Sequence, residues 1–217
     1  MPSPLRPLPR DFYEPSADIV AGRLLGHWLV RNTPAGPAGG PIVETEAYLC
    51  DDPACHAAPG LTPRNRVMFG PPGHAYVYFI YGNHYCVNAV CRPAGIAEAL
   101  LIRAIEAEWN PAFMRRQRPV RDVRQLTNGP AKLCQALAID RKLDGVDLCD
   151  SAGPLFIARA PGLAPFLRER GPVVTTTRIG ITKAAHLPLR FYLAASPYVS
   201  RLAPKSRGGS AREPRPY

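Results

Sequence analysis

Two glutamates, Glu44 and Glu46, stand two residues apart in Val43-Glu-Thr-Glu-Ala-Tyr48, a run whose other members favour a strand. Side chains alternate along a strand, so Ile42, Glu44, Glu46 and Tyr48 share one face while Val43, Thr45, Ala47 and Leu49 share the other. Two carboxylates on one face of an otherwise apolar strand are costly unless a cation, a hydrogen-bond donor or water meets them. Two arrangements meet that need. Either an edge strand points them to solvent, or one is a general base in a closed site and the other supports it. Arg103, inside the apolar run Leu100–Ile105, is the buried cation that can pair with one of them.

A second group of residues runs from His74 to Tyr85, with four tyrosines, one phenylalanine and two histidines in twelve positions. Core packing in strands accounts for most of them. Tyr81 is different, because it immediately precedes Gly82-Asn83, a turn signal. A large ring at a hairpin tip suits a wedge between base pairs, or a platform on which a base stacks. Arg64 and Arg66 supply cations just upstream. Lys132, near a helix start, reads as a phosphate contact or as a surface lysine.

The elements that must position these groups follow from periodicity and punctuation. Ser16 can cap a short helix through Ile19, Val20, Leu24 and Leu25, which Gly26 stops. Trp28 and Val30 begin a strand, residues 32–40 read as a long Pro/Gly-rich hairpin loop, and Ile42–Leu49 is the next strand. His74–Tyr81 and His84–Cys91 flank a two-residue turn, and Ala99–Ile105 is another strand. Helices are expected after Asn110-Pro111 and after residues 127–130, with later strands near Leu155–Ala158, Val173–Ile179 and Leu189–Leu193. The expected fold class is α+β: one domain over residues 11–201, with a mostly antiparallel curved sheet flanked by helices and a projecting hairpin. Residues 1–10 are expected to be a mobile tail and residues 202–217 a basic, disordered one. Regular βαβ alternation and a G-x-G-x-x-G loop are both missing, which argues against a dinucleotide-binding fold.

Charge points to the partner. Lys and Arg number 27 against 17 Asp and Glu, giving a net charge of +10. That excess favours a polyanion, of which nucleic acid is the commonest, although a solvated basic surface gives the same count. No run of 18 apolar residues reads as a membrane span, and Met1–Arg10 has no apolar signal core. A cytoplasmic, nucleoid-associated protein of bacterial type is expected, with its six cysteines reduced. Cys50, Cys55 and His56 raise the question of zinc, but C-x4-C-H lacks a matching second pair, so no metal and no cofactor are expected.

Several of these blocks, taken in order, resemble the alkyladenine (3-methyladenine or methylpurine) DNA glycosylase family. They are Val43-Glu-Thr-Glu-Ala-Tyr48, Thr62-Pro-Arg-Asn-Arg66, Tyr76-Val-Tyr-Phe-Ile-Tyr-Gly82, Leu100-Leu-Ile-Arg-Ala104, Gly129-Pro-Ala-Lys-Leu-Cys-Gln135 and Pro188-Leu-Arg-Phe-Tyr192. The resemblance implies a base-flipping hydrolase acting on double-stranded DNA with damaged purines, working as a monomer. It implies that Glu46 activates the water that attacks the sugar, with Arg103 and the Ile181 carbonyl helping to hold that water. It implies a base pocket of Tyr48, His56 and Tyr78, an Asn88 that excludes normal guanine, and a Tyr81 that fills the vacated space in the duplex. Arg64, Arg66 and Lys132 are the expected phosphate contacts. No lysine lies in the Glu46 or Tyr81 blocks, so hydrolysis without a Schiff base is expected.

Two rival classes remain open at this point. A non-catalytic nucleic-acid-binding module would use the same aromatics for stacking alone. A carbohydrate hydrolase would use the Glu44/Glu46 pair, but adjacent same-face positions are poorly placed to flank a sugar. The hairpin also carries a tension. Strict alternation sets Tyr78 and Tyr81 on opposite faces and pairs Tyr81 with His84, so the tip must twist or bulge if both serve one nucleotide.

Overall fold

A computed structural model of the protein describes residues 5–80, 82, 84–160 and 162–203. The strands are β1 (Trp28–Arg31), β2 (Ala38–Tyr48), β3 (Ala75–Ile80), β4 (His84–Cys91), β5 (Glu98–Ile105), β6 (Leu155–Ala158), β7 (Val173–Thr176) and β8 (Arg190–Leu193). They form a single curled antiparallel sheet in the order β3-β4-β5-β2-β1-β6, with β8 also on β2 and β7 on β8. The helices are α1 (Ala17–Leu24), α2 (Pro111–Gln117), α3 (Pro130–Ala136) and α4 (Leu163–Arg170). The α+β expectation, with one domain and an antiparallel curved sheet, is what the chain adopts. Among the described residues no helix is long and apolar enough to cross a membrane.

The pivot of the sheet is β2. Its first residues, Ala38–Pro41, pair with β1, whereas Glu44–Glu46 pair with β8 on one side and with β5 on the other. The register against β5 is irregular between Ile42, Glu44 and Thr45, where β2 changes partner. Ile42 and Val43 consequently both enter the main core, although strict alternation places them on opposite faces. The strand also starts earlier than its composition suggests, inside the stretch expected to be loop. Gly39 and Gly40 belong to it because neighbouring backbone comes very close. A Cβ on Gly40 would stand 1.9 Å from the Glu106 carbonyl oxygen.

Alternation then sorts the sheet into two faces. Val43, Thr45 and Ala47, with Leu100, Ile102, Val87 and Ala89, turn toward α1 and α3 and build the main core. Tyr76, Tyr78, Cys86, Ala99 and Leu101 turn the other way, onto Cys55, Ala57 and Met68 of the β2–β3 connection. That second face carries the polar residues of interest.

Two local readings are corrected, and one helix is added. Ser16 makes no side-chain cap to α1; the carboxylate of Glu98 accepts the Ala17 amide at 2.9 Å instead. Helix α4 has no counterpart among the expected elements; its Pro165 falls in the first turn, where the missing N–H costs nothing. The stretch expected to be an N-terminal tail packs from Leu5 onward, and the Arg6 carbonyl accepts the Arg159 amide at 2.8 Å. Pro7 bridges to Ala158, and Leu8 is buried with its amide bonded to the Ile157 carbonyl at 2.8 Å.

Candidate active site

Glu44 and Glu46 are both fully buried, because β2 has neighbours on both sides and is not an edge. The solvent-facing alternative is therefore excluded. Glu46 Oε1 accepts the Ile179 amide at 2.8 Å and stands 3.2 Å from Arg103 Nη1, while its Oε2 accepts the Tyr48 hydroxyl at 2.9 Å. Glu44 Oε1 accepts Arg103 Nε at 2.9 Å and Arg190 Nε at 2.8 Å. Arg103 thus bridges both carboxylates rather than one. Burial alone would lower its pKa, but Glu46 and then Glu44 outweigh that and hold it above the ordinary arginine value.

Glu46 lies at the floor of a cavity of about 230 Å³ whose walls are the polar face of the sheet and two loops. Tyr48, His56, Tyr76, Tyr78, Asn88 and Ile181 all line it. The His56 and Tyr78 rings meet edge to face at 4.5 Å between centroids, and His56 Nδ1 is 2.9 Å from the Tyr76 hydroxyl. Burial raises the Tyr78 pKa far above the phenol range, and burial followed by the Glu46 charge does the same for Tyr48. Both rings therefore remain neutral phenols. Burial, then the Arg64 charge, lowers the His56 pKa, so this imidazole is uncharged at neutral pH. Asn88 is buried with its Nδ2 donating to the Tyr76 carbonyl at 3.0 Å.

Other residues hold these in place and were not singled out in the sequence. Asn65 knots the β2–β3 connection: its Nδ2 donates to the His56 carbonyl at 2.8 Å and to Gly60 at 2.9 Å, and its Oδ1 accepts the Thr62 amide at 2.7 Å. Arg178 is fully buried in an ion pair with Asp52, donates to the Ala47 carbonyl at 2.9 Å and lies over the Tyr48 ring at 4.6 Å. It thereby roots the loop from Arg178 to Ile181, which delivers the Ile179 amide to Glu46. Asn65 sits inside a quoted block, so its type was visible but its bonds were not. Arg178 and Asp52 lie 126 positions apart, and no local spacing links them.

The expected phosphate contacts lie outside the cavity. Arg64 is exposed at its mouth, 5.7 Å over the Tyr78 ring, and lines an adjoining groove of about 770 Å³ that shares Ala54, His56, Gly180 and Ile181 with the cavity. Arg66 is exposed beside it. Lys132 donates to Asn128 at 2.9 Å, and it is Pro130 of its helix that reaches the cavity wall. Tyr81 and Asn83 lie outside the described residues. The ladder beneath them corrects the expected turn, because Ile80 pairs with His84 and the connection spans three residues. His84 is therefore the partner of Ile80. A three-residue hairpin with Gly82 at a φ of +76° replaces the two-residue turn. Among the described residues no three His, Cys, Asp or Glu side chains group as metal ligands.

A family model described as methylpurine-DNA glycosylase (MPG) matches residues 11–197. The chain belongs to the methylpurine-DNA glycosylase family. Its relatives include a protein of Methanoculleus marisnigri, 52% identical over 194 residues, covering 89% of this chain and 98% of that one. A second, from Carboxydothermus hydrogenoformans, is 50% identical over 194 residues, covering 89% and 98%. A third, from Rhizobium meliloti, is 47% identical over 191 residues, covering 88% and 95%. All three carry the name "Putative 3-methyladenine DNA glycosylase". In this member of the methylpurine-DNA glycosylase family, the matched segment contains every residue named in the cavity wall.

Proposed function

We propose that this protein is a monofunctional DNA glycosylase of base-excision repair that draws a methylated purine out of duplex DNA and hydrolyses its bond to deoxyribose. One observation carries the reading: a buried carboxylate, Glu46, held by two hydrogen bonds and an ion pair at the floor of an aromatic slot sized for one flat ring system. The base stacks against Tyr48, Tyr78 and His56. Methylation at N3 or N7 makes the purine a cation, which electron-rich ring faces attract and which a protonated imidazole would repel, so a neutral His56 suits it.

Glu46 takes a proton from the attacking water as its oxygen bonds to C1′. The electrons of the N-glycosidic bond pass to the purine, which leaves as a neutral base. The carboxylate also offsets the positive charge that develops on the sugar. Arg103 and the Ile179 amide hold Glu46 in one orientation, and the Ile181 carbonyl helps to seat the water. Asn88 disfavours the 2-amino group of an uncharged guanine, a penalty that the positive charge of 7-methylguanine offsets, and Tyr81 fills the space left in the duplex. No lysine among the described residues lines the cavity, in keeping with hydrolysis rather than Schiff-base chemistry. Arg64, Arg66 and Lys132 bind backbone phosphates. The protein acts as a monomer at the nucleoid and needs no cofactor. 3-Methyladenine and 7-methylguanine are its substrates; hypoxanthine and ethenoadenine leave less readily because they carry no such charge.

The deciding experiment measures free base released from duplexes with a single lesion. Wild-type protein releases the methylated purine, and Glu46→Gln slows release by about a hundredfold or more. Binding without release would instead identify a stacking module, and full activity in Glu46→Gln would remove Glu46 from the base's role.

A further inference from the structure

The carboxylate that the proposed chemistry leaves unused is the better partnered of the two. Besides Arg103 and Arg190, Glu44 Oε1 accepts the Ser200 hydroxyl at 2.8 Å, and its Oε2 accepts the Ser200 amide at 2.7 Å. The same hydroxyl oxygen lies 3.3 Å from Arg103 Nη2, which donates to it. One residue near the end of the described chain therefore touches both members of the Glu44–Arg103 pair. A guanidinium is planar and rigid, so fixing Nε on Glu44 and Nη2 on Ser200 fixes where Nη1 points. Nη1 is the nitrogen 3.2 Å from Glu46.

We propose that Ser200 is a positioning residue, which steers Arg103 from the C-terminal segment and so sets how firmly Arg103 engages Glu46. The role rests on the reading of Glu46 as the base. Glu44 and Glu46 compete for one cation. The two donors from Ser200 satisfy part of Glu44, and Arg103 is then shared. Without the hydroxyl, Glu44 draws the guanidinium inward, and the contact to Glu46, the longer of the two carboxylate contacts, lengthens first. The segment itself stays in place. Arg190 Nη2 donates to the Arg201 carbonyl, and the Ala203 amide donates to the Tyr192 hydroxyl at 3.2 Å.

A weakened Arg103 contact makes Glu46 easier to protonate. The other groups facing Glu46 are Glu44 and Tyr48 on β2, Arg190 opposite it on β8, Cys86 on β4, Tyr78 on β3 and the Ile179 amide. Of these, Ser200→Ala directly alters only Glu44, which loses the hydroxyl donor and keeps the Ser200 amide.

Two measurements test this on the full chain. Carboxyl ¹³C NMR follows the titration of Glu46 in the free protein, and single-turnover base release is followed against pH on a 7-methylguanine duplex. In Ser200→Ala the Glu46 titration and the acid limb of the rate profile both move to higher pH by about one unit. Release near neutral pH slows about tenfold, and affinity for a duplex bearing an abasic-site analogue is unchanged. Ser200→Thr, which keeps the hydroxyl, restores both. Should Ser200→Ala not fold, Ser200→Cys removes the strong hydrogen bond at nearly constant shape. An unmoved Glu46 titration overturns the proposal, whatever happens to melting temperature or rate. A wild-type protein that releases no base overturns the glycosylase reading instead, while the titration still decides whether Ser200 acts on Glu46.

Discussion

The Ile179 amide donates to Glu46 Oε1 at 2.8 Å across 133 positions of sequence. The donor is backbone, so its identity as isoleucine matters little and its N–H matters a great deal. Ile179→Val is expected to release base at the wild-type rate. Ile179→Pro, which has no N–H, is expected to release it at least about tenfold more slowly with DNA affinity retained, as single-turnover assays and a binding titration on the same duplex would show.

The loop that carries this amide is rooted by the buried Arg178–Asp52 pair. Removing one partner leaves an uncompensated buried charge, which costs about 3–5 kcal/mol. Arg178→Met should therefore lower the midpoint of chemical denaturation sharply. It should also cut base release in the fraction still folded, because the Tyr48 ring and the Ala47 carbonyl lose the cation that holds them. Adding Asp52→Asn should return part of the stability, since the two sites are directly coupled. Two strictly additive losses would show that the pair does not act as a unit.

These two residues also mark how far sequence reading reached. The Glu44/Glu46 face, the Arg103 partner and the aromatic hairpin were legible because strand alternation is local: each residue's face follows from its neighbours. The family resemblance implied a pocket with Tyr48, His56, Tyr78 and Asn88, and these four side chains line one cavity. Arg178, Asp52 and Ser200 were not legible, because their partners are set by how the sheet curls and no spacing encodes that. Where β2 began was hidden for another reason. Gly39 and Gly40 look like loop residues, whereas the close approach of the Leu29 and Glu106 carbonyls is what requires glycine there. The hairpin turn was misread by one residue, which is enough to change every cross-strand pair near its tip.

Arg64 is exposed at the cavity mouth and lines the adjoining groove, where a phosphate backbone entering the site would pass. Neutralising one phosphate contact lowers the slope of log affinity against log salt by about 0.9. Arg64→Ala and Arg66→Ala are each expected to reduce that slope by about this amount, equally on damaged and undamaged duplex, with the release rate at saturating DNA little changed for Arg66→Ala. A slope that stays constant would remove that arginine from the phosphate contacts.

His27 gives a pH dependence of stability that is independent of the active site. It is buried, and its Nδ1 accepts the Ala160 amide at 3.2 Å, so the folded protein needs that nitrogen unprotonated. Burial, followed by the Arg159 charge, lowers its pKa from 6.5 to about 4. The unfolded chain thus takes up a proton between those values while the folded one does not. The stability that neutral His27 contributes is fully present above pH 6.5 and is lost progressively as pH falls toward about 4, by about 3 kcal/mol in all. Urea denaturation at half-unit pH steps should show this slope in the wild type. In His27→Gln the imidazole is gone while an acceptor remains for the Ala160 amide, and the slope over that window should flatten by the same amount. A variant that kept the wild-type slope would place its source on another group.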